Sequence, residues 1–257
     1  MSSQELSTHS ILGVPVSRVT MQSAVDRLAA WIEAKTTHYI CASDVHSVMR
    51  AQDEASHMEA LCKADMVLPD GTPLVWISHL RGERDVNRVP GPDFMLAVVE
   101  RSAREGWRHY FYGGAEGVAG QLAETLADNY PGINIAGTAT PPFRALTEEE
   151  RHASLRHIRE ANPDVVWVGL GCPKQERWML DHLSQLEGVV LVGVGAAFDF
   201  HTGRVRRAPL WMRSNGFEWL HRLVSEPQRL WRRYLLQAPR FIFSSLKETL
   251  LMKRSSI

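Results

Sequence analysis

Before Pro209, short uninterrupted apolar runs punctuate the chain, and between them apolar residues return every three or four positions. Val165-Val-Trp-Val-Gly-Leu170 is the clearest run. A strand that is apolar on both faces suits a parallel sheet covered on both sides. The same pattern predicts strands at 39–42, 66–68, 109–112, 133–136, 165–170 and 189–194. Helical spacing predicts helices over 21–34, with Ala24, Val25, Leu28 and Trp31 on one face, over 93–105 and over 116–129. Thr147-Glu-Glu-Glu150 has the spacing of a capping box and opens a helix carrying Leu155 and Ile158, with Pro163 beyond its end. Alternating strands and helices predict an α/β fold with a mostly parallel sheet flanked by helices.

After Pro209 the strand signal stops. Residues 210–257 mix Arg with Leu, Trp, Phe and Tyr at helical spacing, which predicts a basic, amphipathic helical appendage on a body formed by residues 1–209. Charge divides nearly as sharply. Residues 204–257 hold 12 Lys and Arg against 3 Asp and Glu, so this end carries +9 and the rest −9 within a neutral chain. A basic end on an acidic body suggests an anionic partner: nucleic acid, phosphate or a lipid surface. Basic and aromatic residues on a helix fit a membrane interface, while a helix packed on the body with its Arg stems over apolar surface is the plainer alternative. No helix-turn-helix, RNA-recognition or zinc-finger pattern supports nucleic acid.

The remaining composition narrows the class. The 44% hydrophobic and 23% charged content is that of a soluble globular protein, and 257 residues suffice for a real core. No run of 18 apolar residues predicts a transmembrane helix, and Met1-Ser-Ser-Gln-Glu-Leu6 does not predict a secretory signal. Cys41, Cys62 and Cys172 are odd in number and widely spaced, which fits a reducing cytoplasm rather than a disulfide framework or a zinc site.

Parallel α/β sheets bind ligands outside the carboxyl ends of their strands. Five predicted strand ends carry polar or turn residues. Asp44 and His46 follow the first strand. Asp70-Gly71 follows the second, where Gly71 would permit a tight bend and Asp70 is either a turn former or a fixed carboxylate. Gly113-Gly-Ala-Glu-Gly-Val-Ala-Gly120 lacks dinucleotide-loop spacing and reads first as a tight strand-to-helix turn. Pro173-Lys-Gln-Glu176 places Lys174, Gln175 and Glu176 at a helix start; the helix dipole accounts for Glu176 but not for a lysine there. Asp199, between Phe198 and Phe200, could pair with Arg204, Arg206 or Arg207, or accept bonds from a ribose or base edge. No H-E-x-x-H, paired cysteines or Asp-x-Asp predicts a metal, and no cofactor is implied. Arginines are plentiful instead, Arg88 and nine between Arg204 and Arg240. Guanidinium can stabilise a departing diphosphate in place of magnesium, or can form a solvated basic face.

Seven stretches in order resemble the WecG/TagA/CpsF glycosyltransferases of bacterial cell-surface polysaccharide synthesis: "ADMVLPDGTPLVW", "RVPGPDF", "YFYGGAEGVA", "YPGINIAG", "PDVVWVGLGCPKQERWM", "VGVGAAFDFHTGRVRRAPLWMRSNGFEWLHRL" and "EPQRLWRRYL". They span nearly the whole chain, and several are long and uncommon. The resemblance implies a Rossmann-like body and a C-terminal appendage that helps hold the enzyme at the membrane and completes its site. It implies metal-independent, inverting transfer from a UDP-sugar to a polyprenyl-diphosphate-linked sugar. Partners would be those two substrates and the inner-membrane surface, reached from the cytoplasmic face, with a homo-oligomer left open. By the same resemblance Asp70 is the catalytic base and Arg88 stands beside the diphosphate. Gln175 and Asp199 are donor-site residues, and Arg222, Arg229 and Arg232 close over the diphosphate. Where family members often carry Thr-x-Asn near the donor sugar, this chain has Ala42-Ser-Asp44, a carboxylate in place of an amide. The donor could therefore be a UDP-N-acetylmannosamine type or a uronic or hexose sugar. Two other readings share these features: a nicotinamide-dependent sugar oxidoreductase, and a non-enzymatic membrane adaptor using the appendage alone.

Overall fold

The computed structural model describes residues 6–255. The strands are β1 (Thr8–Ile11), β2 (Val14–Ser17), β3 (His38–Ser43), β4 (Met66–Pro69), β5 (Arg108–Gly113), β6 (Asn134–Ala139), β7 (Val165–Gly169) and β8 (Val190–Gly193). The helices of the body are α1 (Met21–Glu33), α2 (Val45–Asp53), α3 (Ala55–Cys62), α4 (Thr72–Leu80), α5 (Gly91–Glu105), α6 (Val118–Asn129), α7 (Glu148–Ala161), α8 (Lys174–His182) and α9 (Ala197–His201). Then follow α10 (Leu210–Ser214), α11 (Glu218–Ser225), α12 (Pro227–Arg232), a π-helical turn at Arg233–Gln237, and α13 (Ala238–Ser255).

Six strands form one all-parallel sheet in the order β4-β3-β8-β7-β5-β6. Successive residues of each strand enter opposite cores. Ile40, Met66, Phe111, Trp167 and Val192 pack with α1, α5 and α6. Tyr39, Cys41, Val67, Tyr110 and Leu191 pack on the other side with Leu74 of α4, Leu155 of α7 and Met179 of α8. Both faces are covered, which is why the strands read as unbroken apolar runs. The chain leaves the adjacent strands β5 and β7 in opposite directions, toward β6 and β8, so a crevice opens between their carboxyl ends. The backbones nearly touch there. A Cβ on Gly113, whose φ is +123°, would lie 2.6 Å from the Gly169 carbonyl oxygen.

The six strands and the capping box at Thr147 and Glu150 agree with the sequence reading. The hairpin β1–β2 does not figure in it. Its two-residue turn, Leu12-Gly13, has positive φ at both positions (50° and 82°). Such turns normally announce themselves as Asn-Gly or Asp-Gly, and a leucine there conceals the signal. Helices α2 to α4 do not figure in the sequence reading either: each is short, at most two residues separate α2 and α4 from the strand before, and α3 is separated from α2 by Glu54 alone.

The segment after residue 209 lies against the body. Phe241 is fully buried in the second core. Arg81, the residue that caps the end of α4, donates to Glu248 Oε2 at 2.6 Å, to Thr249 Oγ1 at 2.9 Å and to the Ser245 carbonyl at 3.2 Å. The segment exposes large apolar side chains, with Trp211 63%, Val224 74% and Phe243 72% exposed, among basic ones such as Arg229, Arg232 and Arg240. None of the described helices is long and apolar enough to cross a membrane.

Candidate active site

A cavity of about 1350 Å³ opens at the carboxyl ends of the strands. Asp44, Asp70, Gly114, Gly171 and Gly195, each just after a strand, form its floor, and residues of α11, α12 and the π-helical turn form the facing wall.

Asp70 follows the last residue of β4, and its N–H donates to the Ser43 carbonyl at 2.9 Å, which fixes it to β3. Gly71 does not supply a bend that glycine alone can make, for its φ is −81°. Its role is space: a Cβ there would come within 3.2 Å of the Asp44 Cα. The missing side chain lets the loops after β3 and β4 lie together, bringing two carboxylates to one floor. Asp70 Oδ2 accepts from the Gly91 N–H at 3.3 Å, and Oδ1 lies 3.9 Å from Arg88 Nη2. Burial pushes the Asp70 pKa up and outweighs the opposing pull of Arg88 and the Gly91 amide.

Arg88 is held on three sides. Its Nε donates to the Asp70 carbonyl at 2.7 Å, Nη1 to the Arg213 carbonyl at 3.0 Å and Nη2 to Glu218 Oε2 at 2.7 Å. Glu218 also meets Arg207 Nε at 3.3 Å. Arg207 in turn clasps Asp93 with both terminal nitrogens, at 2.5 and 2.8 Å. Burial opposes the charges of Asp93 and Glu218, yet hydrogen bonds and the adjacent guanidiniums prevail and hold both carboxyls below their ordinary range. Sequence reasoning missed Asp93 and Glu218. Glu218 had one available signal, as one of three acids in a stretch of +9.

Asp44 caps α2, its Oδ1 accepting from the Ser47 N–H at 3.1 Å, and its other oxygen pairs with Arg233. His46 Nδ1 meets Gln237 Oε1 at 2.7 Å. The loop after β3 thus grips both ends of the π-helical turn, a distortion often found at functional sites. Gln175 is 2% exposed and buttresses the floor. Its Oε1 accepts from the Gly195 N–H and its Nε2 donates to Glu176 Oε1, each at 3.0 Å.

The remaining expected residues divide. Arg222 faces the cavity with its guanidinium carbon 5.4 Å from the Phe200 ring centroid and its buried Nε without a hydrogen-bond partner among the described residues. Arg229 also lines the cavity and pairs with Glu226 at 2.6 Å. Arg232 is exposed, lies over the Trp231 ring at 5.3 Å and is not part of the cavity lining; its neighbour Arg233 is. Asp199 stands at the rim, 40% exposed, with Arg204 Nε 3.7 Å away, so of the three pairings considered Arg204 is the one formed.

The sequence profile of the Glycosyl transferase WecG/TagA/CpsF family matches residues 9–255. The chain belongs to this family. Its members include an N-acetylglucosaminyldiphosphoundecaprenol N-acetyl-beta-D-mannosaminyltransferase of Bacillus subtilis, 29% identical over 95% of this chain and 93% of the relative. Proteins of the same name match from Bacillus spizizenii, 32% identical over 77% of this chain and 74% of the relative, and from Staphylococcus aureus, 26% identical over 95% and 94%. With family membership the arrangement gains a chemical frame. A glycosyl transferase must bring a donor and an acceptor together, and the cavity offers a carboxylate on the floor with arginines beside and across from it.

Proposed function

We propose that this protein transfers a sugar from a UDP-sugar to a saccharide carried on a polyprenyl diphosphate, inverting the anomeric carbon without a metal ion. The observation that supports this most is Asp70, fixed between β3 and β4 beside Arg88, facing Arg222, Arg229 and Arg233 from the C-terminal helices across one cavity.

In this scheme the Asp70 carboxylate accepts the proton of the acceptor hydroxyl as that oxygen attacks the anomeric carbon. The bond to UDP breaks on the opposite side. Its electron pair leaves with the diphosphate, where guanidinium groups meet the growing charge. A raised pKa makes Asp70 a stronger base than an ordinary aspartate. Gln175 shapes the floor near Gly195, and Asp199 stands at the rim, where a nucleoside could reach it. The names of the relatives support a polyprenyl-diphosphate acceptor. For the donor, the Asp44–Arg233 pair replaces the expected amide with a neutralised carboxylate, leaving N-acetylmannosamine, hexose and uronic donors to be compared. Residues 1–209 would be the catalytic body and 210–257 the appendage that rests on the cytoplasmic face of the membrane through its exposed aromatic and basic side chains.

The test is a panel of UDP-sugars with synthetic polyprenyl-diphosphate saccharides, in chelator, reading UDP release and acceptor mass. One donor should give equal UDP and a one-sugar mass gain. Binding of NAD(H) with no turnover of any UDP-sugar would overturn the proposal.

A further inference from the structure

Three residues distant in sequence meet where the turn after β7 enters α8. His57 comes from α3, Cys172 from the turn and Glu176 from the first turn of α8. One ligand atom of each lies within 4.8 Å of the others. His57 and Glu176 are fully buried, while Cys172 opens onto the cavity. His57 Nε2 is 3.6 Å from Cys172 Sγ and 3.1 Å from Ser47 Oγ. Zinc bonded tetrahedrally to an imidazole nitrogen at ~2.0–2.1 Å and a thiolate at ~2.3 Å holds those two atoms about 3.5 Å apart. The His–Cys pair already has that spacing.

The carboxylate supplies a second, independent observation. Glu176 Oε1 accepts from Gln175, but the buried Oε2 has no hydrogen-bond partner among the described residues. A buried acceptor without a donor is costly, and a cation would satisfy it. Charge also balances: one thiolate and one carboxylate cancel a divalent ion, and the imidazole binds neutral.

We propose that His57, Cys172 and Glu176 form a binding site for a thiophilic divalent ion of the zinc class. The thiol proton, and the carboxyl proton where present, leave to solvent as the ion binds. Water or the Ser47 hydroxyl completes the tetrahedron, and the cavity, which both Ser47 and Cys172 line, is the way in. The ion takes no part in sugar transfer. It tethers α3 to the start of α8, where Gln175 lies three residues after one ligand, Cys172, and directly before another, Glu176. Zinc spacing was absent from the sequence because His57 lies 115 residues from Cys172.

Cobalt(II) added to the metal-free full-length protein tests this independently of any transferase activity. One equivalent should produce the near-ultraviolet thiolate band and the visible bands of tetrahedral cobalt, and zinc should abolish them. Cys172→Ser and Glu176→Gln should weaken binding by more than the roughly 10–100-fold that loss of an outer-shell partner costs. In the wild type, zinc should protect Cys172 from iodoacetamide and leave the exposed Cys62 reactive. Absence of a thiolate band, its persistence in Cys172→Ser, or unprotected Cys172 at saturating zinc would each overturn the site. The protection assay needs no variant, so it decides even if a substituted chain does not fold.

Discussion

Glu218 accepts a hydrogen bond from Arg88 at 2.7 Å, and the same guanidinium holds the Asp70 backbone carbonyl at 2.7 Å. One arginine therefore connects the floor carboxylate to the first turn of α11. The position of Asp70 and the seating of the C-terminal helices belong to one hydrogen-bonded unit, which Arg207 and Asp93 extend.

Replacing Glu218 by alanine leaves Arg88 and Arg207 facing each other without their shared acid. Breaking a fully buried pair from one side costs about 3–5 kcal/mol, and these part-buried partners, 13–23% exposed, belong at the lower end of that range. For a chain of this size each kcal/mol moves Tm by roughly 2–4 °C. Thermal unfolding should show a fall on the order of 10 °C, and limited proteolysis should cut sooner between α10 and α11. An unchanged Tm would mean that the pairing contributes nothing.

Asp70→Asn keeps the shape and removes the proposed base. Turnover should fall by roughly 10²–10⁴-fold, while UDP affinity, measured by calorimetry, stays within a few-fold. Because burial raises the Asp70 pKa, the acid limb of kcat/KM in the wild type should lie above the ordinary carboxylate range. Loss of that limb in the variant identifies its source.

The Asp44–Arg233 pair is only 21–30% exposed at either partner. Asp44→Asn preserves the cap on α2, since asparagine caps helices as well as aspartate, but removes the charge that holds the π-helical turn. Stability should fall by about 1–3 kcal/mol, and activity should fall with it. A double-mutant cycle with Arg233→Gln should return a coupling on the order of 1–2 kcal/mol; additive effects would show that the two side chains act separately.

Two buried groups give opposite pH dependences. Burial lowers the His109 pKa to about 4, its Nδ1 accepting from Trp167 Nε1 at 2.9 Å. Its contribution is present above the unfolded value of about 6.5 and is lost as pH falls toward 4. Burial raises Glu176 to about 7, so its contribution is lost as pH rises from the unfolded value of about 4.3 through 7. The two offset each other in the wild type. In metal-free Glu176→Gln the losses from His109 and from His57, which burial likewise lowers to about 4, are no longer offset, and denaturant midpoints should decline more steeply between pH 6.5 and 4 than in the wild type.

Truncation before Gly216 removes Glu218, Arg222, Arg229 and Arg233 together with most of the exposed aromatic surface. Sedimentation with anionic vesicles and sugar transfer should both drop. Each basic side chain near an anionic leaflet is worth about 1 kcal/mol, so binding of the full chain should also weaken with salt. Retention of either property would assign it to the body.

The legibility of this chain follows from what local pattern can encode. Strands such as β7 and β8 were readable because burial on both faces leaves an apolar run, and the capping box at Thr147 because its hydrogen bonds are local. The β1–β2 hairpin was not, since Leu12 adopts a conformation that its residue type does not advertise. Asp70, Arg88 and Gln175 were found from strand ends and family resemblance, and all line the cavity. Periodicity could not tell Arg232 from Arg233. About 100° separates neighbours on a helix, and which one faces inward depends on a π-helical turn held by Asp44 and His46, some 190 residues away along the chain.

By itself the sequence determined the layered parallel sheet, the edge at which ligands gather and the separation of acidic body from basic end, because each follows from burial, helix signals or charge that neighbouring residues carry. Only the tertiary structure decided which acids meet which arginines, and that the last helices wall the cavity while packing on the body. Ion pairs and buried clusters such as His57–Cys172–Glu176 depend on distances between segments far apart in the chain, and no local pattern records those distances.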